Sequence, residues 1–209
     1  MSFRAFGWLL AAGGLWIGLA LGQDAAPDAG AVPGATAPAT VNVVLHTALG
    51  DIVLALEKER APITSANFLR YVDQKRLDGT EFYRAMKADE EGEFGLIQGG
   101  LRGNPKRVLK PIAHEPTSAT GLSHVSGAIS MARADPGTAD ADFFIVIGDL
   151  PSFDARPDDP GYAVFGRVVA GMDVVRNILQ QPRSDAGEGV MKGQMLASPV
   201  KILTARRVG

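Results

Sequence analysis

The stretch Asp142 to Gly148, DFFIVIG, is apolar on both faces within a few residues, and few folds can house such a segment. In an extended chain successive side chains alternate, so Phe143, Ile145 and Ile147 face one way and Asp142, Phe144 and Val146 the other. One face must enter a core. The other begins with a carboxylate and suits the wall of a half-exposed cleft. Further short runs alternate in the same way. Val41 to Thr47 places Val41, Val43 and Leu45 on one face. Asp51 to Glu57 does the same with Ile52, Leu54 and Leu56, and Ala48-Leu49-Gly50 turns one run into the other as a hairpin. Leu96 to Gly100, Gly127 to Arg133, Tyr162 to Val169 and Val200 to Val208 also read as strands. Two segments break the pattern. Pro62, with Thr64 or Ser65, opens a helix whose stripe is Ile63, Phe68, Leu69 and Val72, and Gly171-Met172-Asp173 introduces a second helix through about Gln180. About seven or eight short strands with glycine turns and two helices predict a closed barrel or a sandwich. A barrel of about eight strands is filled by its own side chains, so a ligand would bind outside its wall or at its mouth.

Ahead of these strands the chain is organised differently. Residues 1–22 carry Arg4, an apolar run from Phe6 to Leu21 and small residues at Ala20 and Gly22, the pattern of a cleaved secretory signal peptide. Residues 23–40, QDAAPDAGAVPGATAPAT, are too poor in apolar side chains to offset their ordering entropy and read as a disordered linker. The folded domain is then expected over 41–209, exported to a periplasm and not anchored to the membrane. With 0 cysteines, its stability rests on a core even in a compartment that allows disulfides. A formal net charge of -2 lacks the basic excess of a nucleic-acid or membrane-surface binder.

Glu81 to Gly100, EFYRAMKADEEGEFGLIQGG, holds the most unusual side chain. Strict alternation sets Phe82, Arg84 and Met86 on one face and Tyr83 and Ala85 on the other. A cation between apolar neighbours is either a surface arginine lying over a hydrophobic patch or a functional group. Lys87 to Glu93 is acidic and reads as an exposed loop, and Leu101 to Ser123 as a long ordered loop laid over the domain. His46, His114 and His124 lack metal-ligand spacing and read as surface or loop residues. Ser126 and Ser130 stand near His124, but no motif places either on a nucleophile's strained turn. Asp140 with Asp142 is a weak candidate for an acid/base pair.

The ordered set APITSANFLRYV, DGTEFYRAM, LIQGG, GAISMAR, DFFIVIGD and YAVFGRVVAGMDVV resembles the cyclophilin-type peptidyl-prolyl cis-trans isomerases. The resemblance implies an eight-stranded antiparallel barrel capped by two helices, with a peptide groove on its outer wall and no cofactor. It places the catalytic arginine at Arg84 and the groove at Leu96, Gln98, Ala132, Arg133, Asp142, Phe144, Phe153 and Tyr162. Alternation independently puts Leu96 with Gln98 and Asp142 with Phe144. The implied partners are proline-containing segments of unfolded or exported polypeptides, bound by a monomer. Four positions depart from the family pattern: Gly95 stands where an FMIQGG-like run has phenylalanine, Asp142 replaces a glutamine, Arg133 an asparagine and Ser152 an aromatic residue. The loop before Gln98 is also longer than usual. These departures imply a shallower proline pocket floored by Phe144, Leu96 and Phe153. They also motivate an alternative, a module that grips proline peptides with weak or no turnover.

Overall fold

The computed structural model describes residues 39–208. The expected signal peptide, and the expected linker apart from its last two residues, lie outside the described residues. The first hairpin forms as the alternation predicts: β1 (Val41–Thr47) pairs antiparallel with β2 (Gly50–Leu56). The other strands are β3 (Thr80–Lys87), β4 (Gly95–Gly100), β5 (Ala128–Met131), β6 (Phe143–Ile147), β7 (Ala163–Ala170), β8 (Arg183–Ser184) and β9 (Met195–Val208). Their order is β1-β2-β7-β5-β6-β4-β3-β9, and β9 pairs back onto β1. Eight antiparallel strands therefore close into a barrel. The two-residue β8 is a short addition on β9 outside that ring.

The interior is packed with side chains. Val43, Leu45, Ile52, Leu54, Phe82, Ile97, Ile129, Phe143, Ile145, Ile147, Phe165 and Ile202 are all fully buried in one cluster. Each such aliphatic or aromatic side chain contributes roughly 1.5–3 kcal/mol relative to exposure. A second apolar cluster forms outside the wall, from Leu96, Ala128, Phe144, Val146 and Val164. The two faces of β6 thus serve two clusters, as its sequence requires.

Helix α1 (Pro62–Asp73) closes one end and α3 (Met172–Gln180) also packs on the barrel; α2 (Thr117–Thr120) is a single turn. Pro62 fits the first turn of α1, where a missing N–H costs nothing. Thr64 and Ser65 do not cap it; both are fully buried within the helix. The cap comes from far along the chain. Glu115 accepts hydrogen bonds from the Ile63 and Thr64 amides at 3.1 and 2.7 Å and from the Thr64 hydroxyl at 2.6 Å, a carboxylate at the positive end of the helix. Ile63 also leaves the expected apolar stripe: it is 45% exposed, and Phe68, Leu69, Tyr71 and Val72 pack instead. At α3, Gly171 has φ 88°, and a Cβ there would sit 2.1 Å from the Asp51 carbonyl oxygen, so only glycine allows the strand-to-helix turn.

The segment from Leu101 to Ser123 is held down by specific bonds. The Leu109 amide donates to the Tyr71 hydroxyl at 2.7 Å, the Ile112 amide to the Ala139 carbonyl at 2.9 Å, and Arg107 to the Asp78 carbonyl at 2.7 Å.

Candidate active site

Arg84 reaches the outer wall because β3 does not alternate strictly. Phe82 pairs with Gly99 and Arg84 with Gln98, so Tyr83 is an extra residue in the strand, a β-bulge. Phe82 and Ala85 both enter the core, while Tyr83, Arg84 and Met86 lie outside it. This corrects the grouping of Phe82 with Arg84: one inserted residue shifts the phase of every side chain after it.

Two neutral amides grip the guanidinium. Arg84 donates from Nη1 to Gln98 Oε1 at 2.7 Å, and from Nε and Nη2 to Gln194 Oε1 at 2.9 and 2.7 Å. Among the described residues no carboxylate forms a salt bridge with it. Burial pulls its pKa below the ordinary arginine value. An arginine has ample margin to stay charged, so an uncompensated cation stands at the groove.

The groove encloses about 490 Å³. All nine residues expected there line it: Arg84, Leu96, Gln98, Ala132, Arg133, Asp142, Phe144, Phe153 and Tyr162. Strands β3, β4 and β6 bring Arg84, Gln98 and Phe144 side by side across the floor by direct pairing, Arg84 with Gln98 and Gln98 with Phe144. Phe144, Phe153 and Tyr162 meet as an aromatic nest with ring centroids 5.3 to 5.9 Å apart. Ser152 is exposed, and Phe153, on the turn Pro151–Phe153, supplies the aromatic wall. Met86, paired with Leu96, extends the apolar floor. Arg133 is pinned by donation from Nε to the Gly161 carbonyl at 3.1 Å and lies 4.9 Å over the Tyr162 ring, so it holds the aromatic wall in place.

Several groove residues had no signal in the sequence. Gln194 lies 110 residues from Arg84 in an aperiodic loop, and nothing local marks it. Val190 and Met191, in the turn Gly189–Met191 of the same glycine-rich loop, line the groove although Val190 is 85% exposed. Thr138 also lines the rim, as does Asp140, which the sequence had singled out beside Asp142.

His124 also departs from expectation. It does lie on a loop, but its side chain is fully buried beneath the groove. Its ring stacks on Phe144 at 5.9 Å, Nδ1 lies 2.6 Å from Asp154 and Nε2 3.0 Å from the Ser130 hydroxyl. The serine, histidine and aspartate are in line, but Ser130 is itself fully buried and cannot meet a substrate in this arrangement. The set supports the pocket floor. Burial pushes the His124 pKa below its usual value, against the pull of Asp154. Partial burial pushes Asp154 up, but hydrogen bonds from Ser123 and His124 outweigh it and hold the carboxyl below its usual value.

This has a measurable consequence. Below about pH 6.5 the unfolded chain's imidazole takes a proton while the folded ring stays neutral, so stability falls as pH falls toward the lower folded pKa. Urea unfolding from pH 7 to pH 5 is expected to show a steeper loss of stability for the wild type than for His124→Gln. Taking the difference removes the contributions of carboxylates common to both. Parallel pH dependences would show that the folded ring titrates like the unfolded one.

Comparisons with known proteins bear on the family and the fold. The family profile described as cyclophilin type peptidyl-prolyl cis-trans isomerase/CLD matches residues 42–207. A peptidyl-prolyl cis-trans isomerase of Acinetobacter baylyi is 36% identical over 175 residues, covering 82% of this chain and 88% of that protein. Peptidyl-prolyl cis-trans isomerase B of Escherichia coli is 33% identical over 168 residues, covering 77% and 98%. Among solved structures, a Cryptosporidium parvum cyclophilin type peptidyl-prolyl cis-trans isomerase in the presence of the dipeptide Ala-Pro superposes with a TM-score of 0.65. It covers 80% of this chain and 99% of that one, and at 23% identity the likeness concerns the fold.

Proposed function

We propose that this chain, which belongs to the cyclophilin-type peptidyl-prolyl cis-trans isomerase family, rotates Xaa-Pro bonds of exported polypeptides in the groove beside Arg84. The isomerase activity itself goes with the family. The finer reading concerns which residues act and where.

Rotation about a peptide bond is slow because amide resonance must be broken, a barrier of about 18–20 kcal/mol. Holding the proline ring and binding the twisted amide better than either planar form is enough to accelerate it. Phe144 and Leu96 offer the apolar seat, backed by Met86, with Phe153 and Tyr162 as its walls. In the twisted form the prolyl nitrogen becomes pyramidal and its lone pair accepts a hydrogen bond. Arg84 supplies the donor. Gln194 holds the Nε–Nη2 edge of its fork and Gln98 takes one hydrogen of Nη1, which carries a second hydrogen for which the described residues provide no acceptor. The observation that carries the reading is this guanidinium, held rigid by neutral amides at the edge of an aromatic pocket. The Ala-Pro dipeptide present with the Cryptosporidium protein is consistent with a proline occupant.

Two measurements test it. A proline-isomerisation time course run beside a titration with the same peptide is expected to show both rate enhancement and binding. Binding without enhancement would instead favour a proline-peptide gripping module. The export reading rests on the sequence of residues 1–22. Fractionation of cells making the full chain is expected to recover a periplasmic protein whose N-terminus lies near Gln23. A cytoplasmic protein that retains Met1 would refute export.

A further inference from the structure

We propose that Tyr83 is a positioning residue for the isomerisation: together with Asp142 it dictates which end of the Gln98 amide faces Arg84. The inference rests on the assignment of Arg84 above.

Tyr83 is the bulged residue of β3, and the bulge is what sends its side chain out on the same side as Arg84. It is only 5% exposed, and the Arg102 guanidinium covers its ring at 4.9 Å, so it does not form part of the surface a peptide would touch. Its hydroxyl lies between two groups. It donates to Asp142 Oδ2 at 2.9 Å and accepts from Gln98 Nε2 at 2.7 Å, and Gln98 Oε1 in turn accepts from Arg84 Nη1 at 2.7 Å.

The direction of this relay is set at the carboxylate end. An ionised carboxylate accepts only, and a phenol has a single hydrogen to give. Asp142 Oδ1 is already occupied by the Arg102 amide at 2.9 Å, which leaves Oδ2 for Tyr83. Burial raises the Asp142 pKa, while the bonds from Arg102 and Tyr83 favour its charged form. With the phenolic hydrogen committed to Asp142, the phenolic oxygen can only accept, and only the NH2 end of Gln98 can donate to it. The carbonyl end is thereby turned to Arg84. Packing cannot make this choice, because the two ends of a glutamine amide have nearly the same shape. A reversed amide would set N–H groups against the guanidinium and release one of its two anchors.

The backbone is built around the same carboxylate. A Cβ on Gly100, at φ 138°, would fall 2.2 Å from Asp142 Oδ1, so glycine is required there for the carboxylate to occupy its place.

The test is a double-mutant cycle on the whole chain, with kcat and KM measured on one Xaa-Pro peptide for wild type, Tyr83→Phe, Gln98→Glu and the double variant, with Arg84→Ala alongside. Tyr83→Phe is expected to lower kcat about tenfold, the worth of one hydrogen bond, with KM nearly unchanged, while the melting temperature falls in both backgrounds because the buried Asp142 carboxylate loses a donor. Glutamate accepts at both ends and leaves nothing to orient. In the Gln98→Glu background Tyr83→Phe should therefore cost less than about twofold more. An equal loss in both backgrounds would overturn the proposal, since a purely structural role would give that. So would a wild-type rate for Tyr83→Phe while Arg84→Ala is inactive. A wild-type rate for Arg84→Ala would instead strike at the Arg84 assignment, and this inference would fall with it.

Discussion

Arg84→Ala is expected to lower kcat/KM for an Xaa-Pro peptide about a hundred- to a thousandfold. That corresponds to the roughly 2.7–4 kcal/mol lost when a preorganised transition-state donor is removed. The loss should fall mainly on kcat, because a planar amide offers the guanidinium no pyramidal nitrogen and so gains little from it in the ground state. Folding should survive. Arg84 is half-buried, and truncation leaves Gln98 Oε1 and Gln194 Oε1 facing a groove that water can enter. Arg84→Lys sharpens the result. An ammonium keeps the charge but cannot span Gln98 on one side and Gln194 on the other while presenting a fixed third donor, so only part of the rate should return. Isomerisation rates for the three proteins, with melting temperatures, decide it. A near-wild-type rate for Arg84→Ala would remove Arg84 from the mechanism.

Much of this site was legible before the fold, for a definite reason. The strands of the outer wall carry their period in their own residues, so Leu96 with Gln98, and Asp142 with Phe144, could be grouped by alternation alone. The structure keeps those groupings. Alternation failed at Tyr83, because a bulge has no signature in hydrophobic period and Phe82, Tyr83, Ala85 and Met86 are apolar or aromatic in either phase. It also missed Gln194, whose contact with Arg84 joins two ends of the domain through closure of the barrel. His124 misled in a different way. A histidine in a polar loop normally stays in water, and only Asp154, 30 residues on, together with the nearby Ser130 provides the partners that let its ring be buried. The N-terminus of α1 shows the same effect, its cap supplied by Glu115 rather than by Thr64 or Ser65. Apart from the bulge, what the sequence could not disclose is a polar contact between residues far apart along the chain.

The adjacent phenylalanines of β6 offer a direct test of the two-faced wall. Phe143 is fully buried in the barrel and meets Phe68 and Phe82 edge-on, at 5.3 and 5.8 Å. Phe143→Ala is expected to cost about 3–5 kcal/mol, because the closed barrel cannot collapse into the space and water does not fill an apolar void. Against a total stability of about 5–15 kcal/mol this is a large fraction, readable as a lower urea midpoint. The molecules that remain folded should turn over peptide normally, since Arg84 and its two amides stay in place. Phe144 stacks on His124 and forms the floor of the groove. Phe144→Ala should destabilise less, because its space opens to a groove that solvent reaches. Its loss should appear in kcat/KM, about ten- to a hundredfold, the equivalent of the roughly 1.5–3 kcal/mol that burying such a ring provides. Urea unfolding and steady-state kinetics on both variants, at a temperature where both are folded, should therefore give opposite rankings. Equal kinetic losses would mean that the core and the groove are mechanically coupled through β6, and that the outer wall does not act as a rigid platform for Arg84.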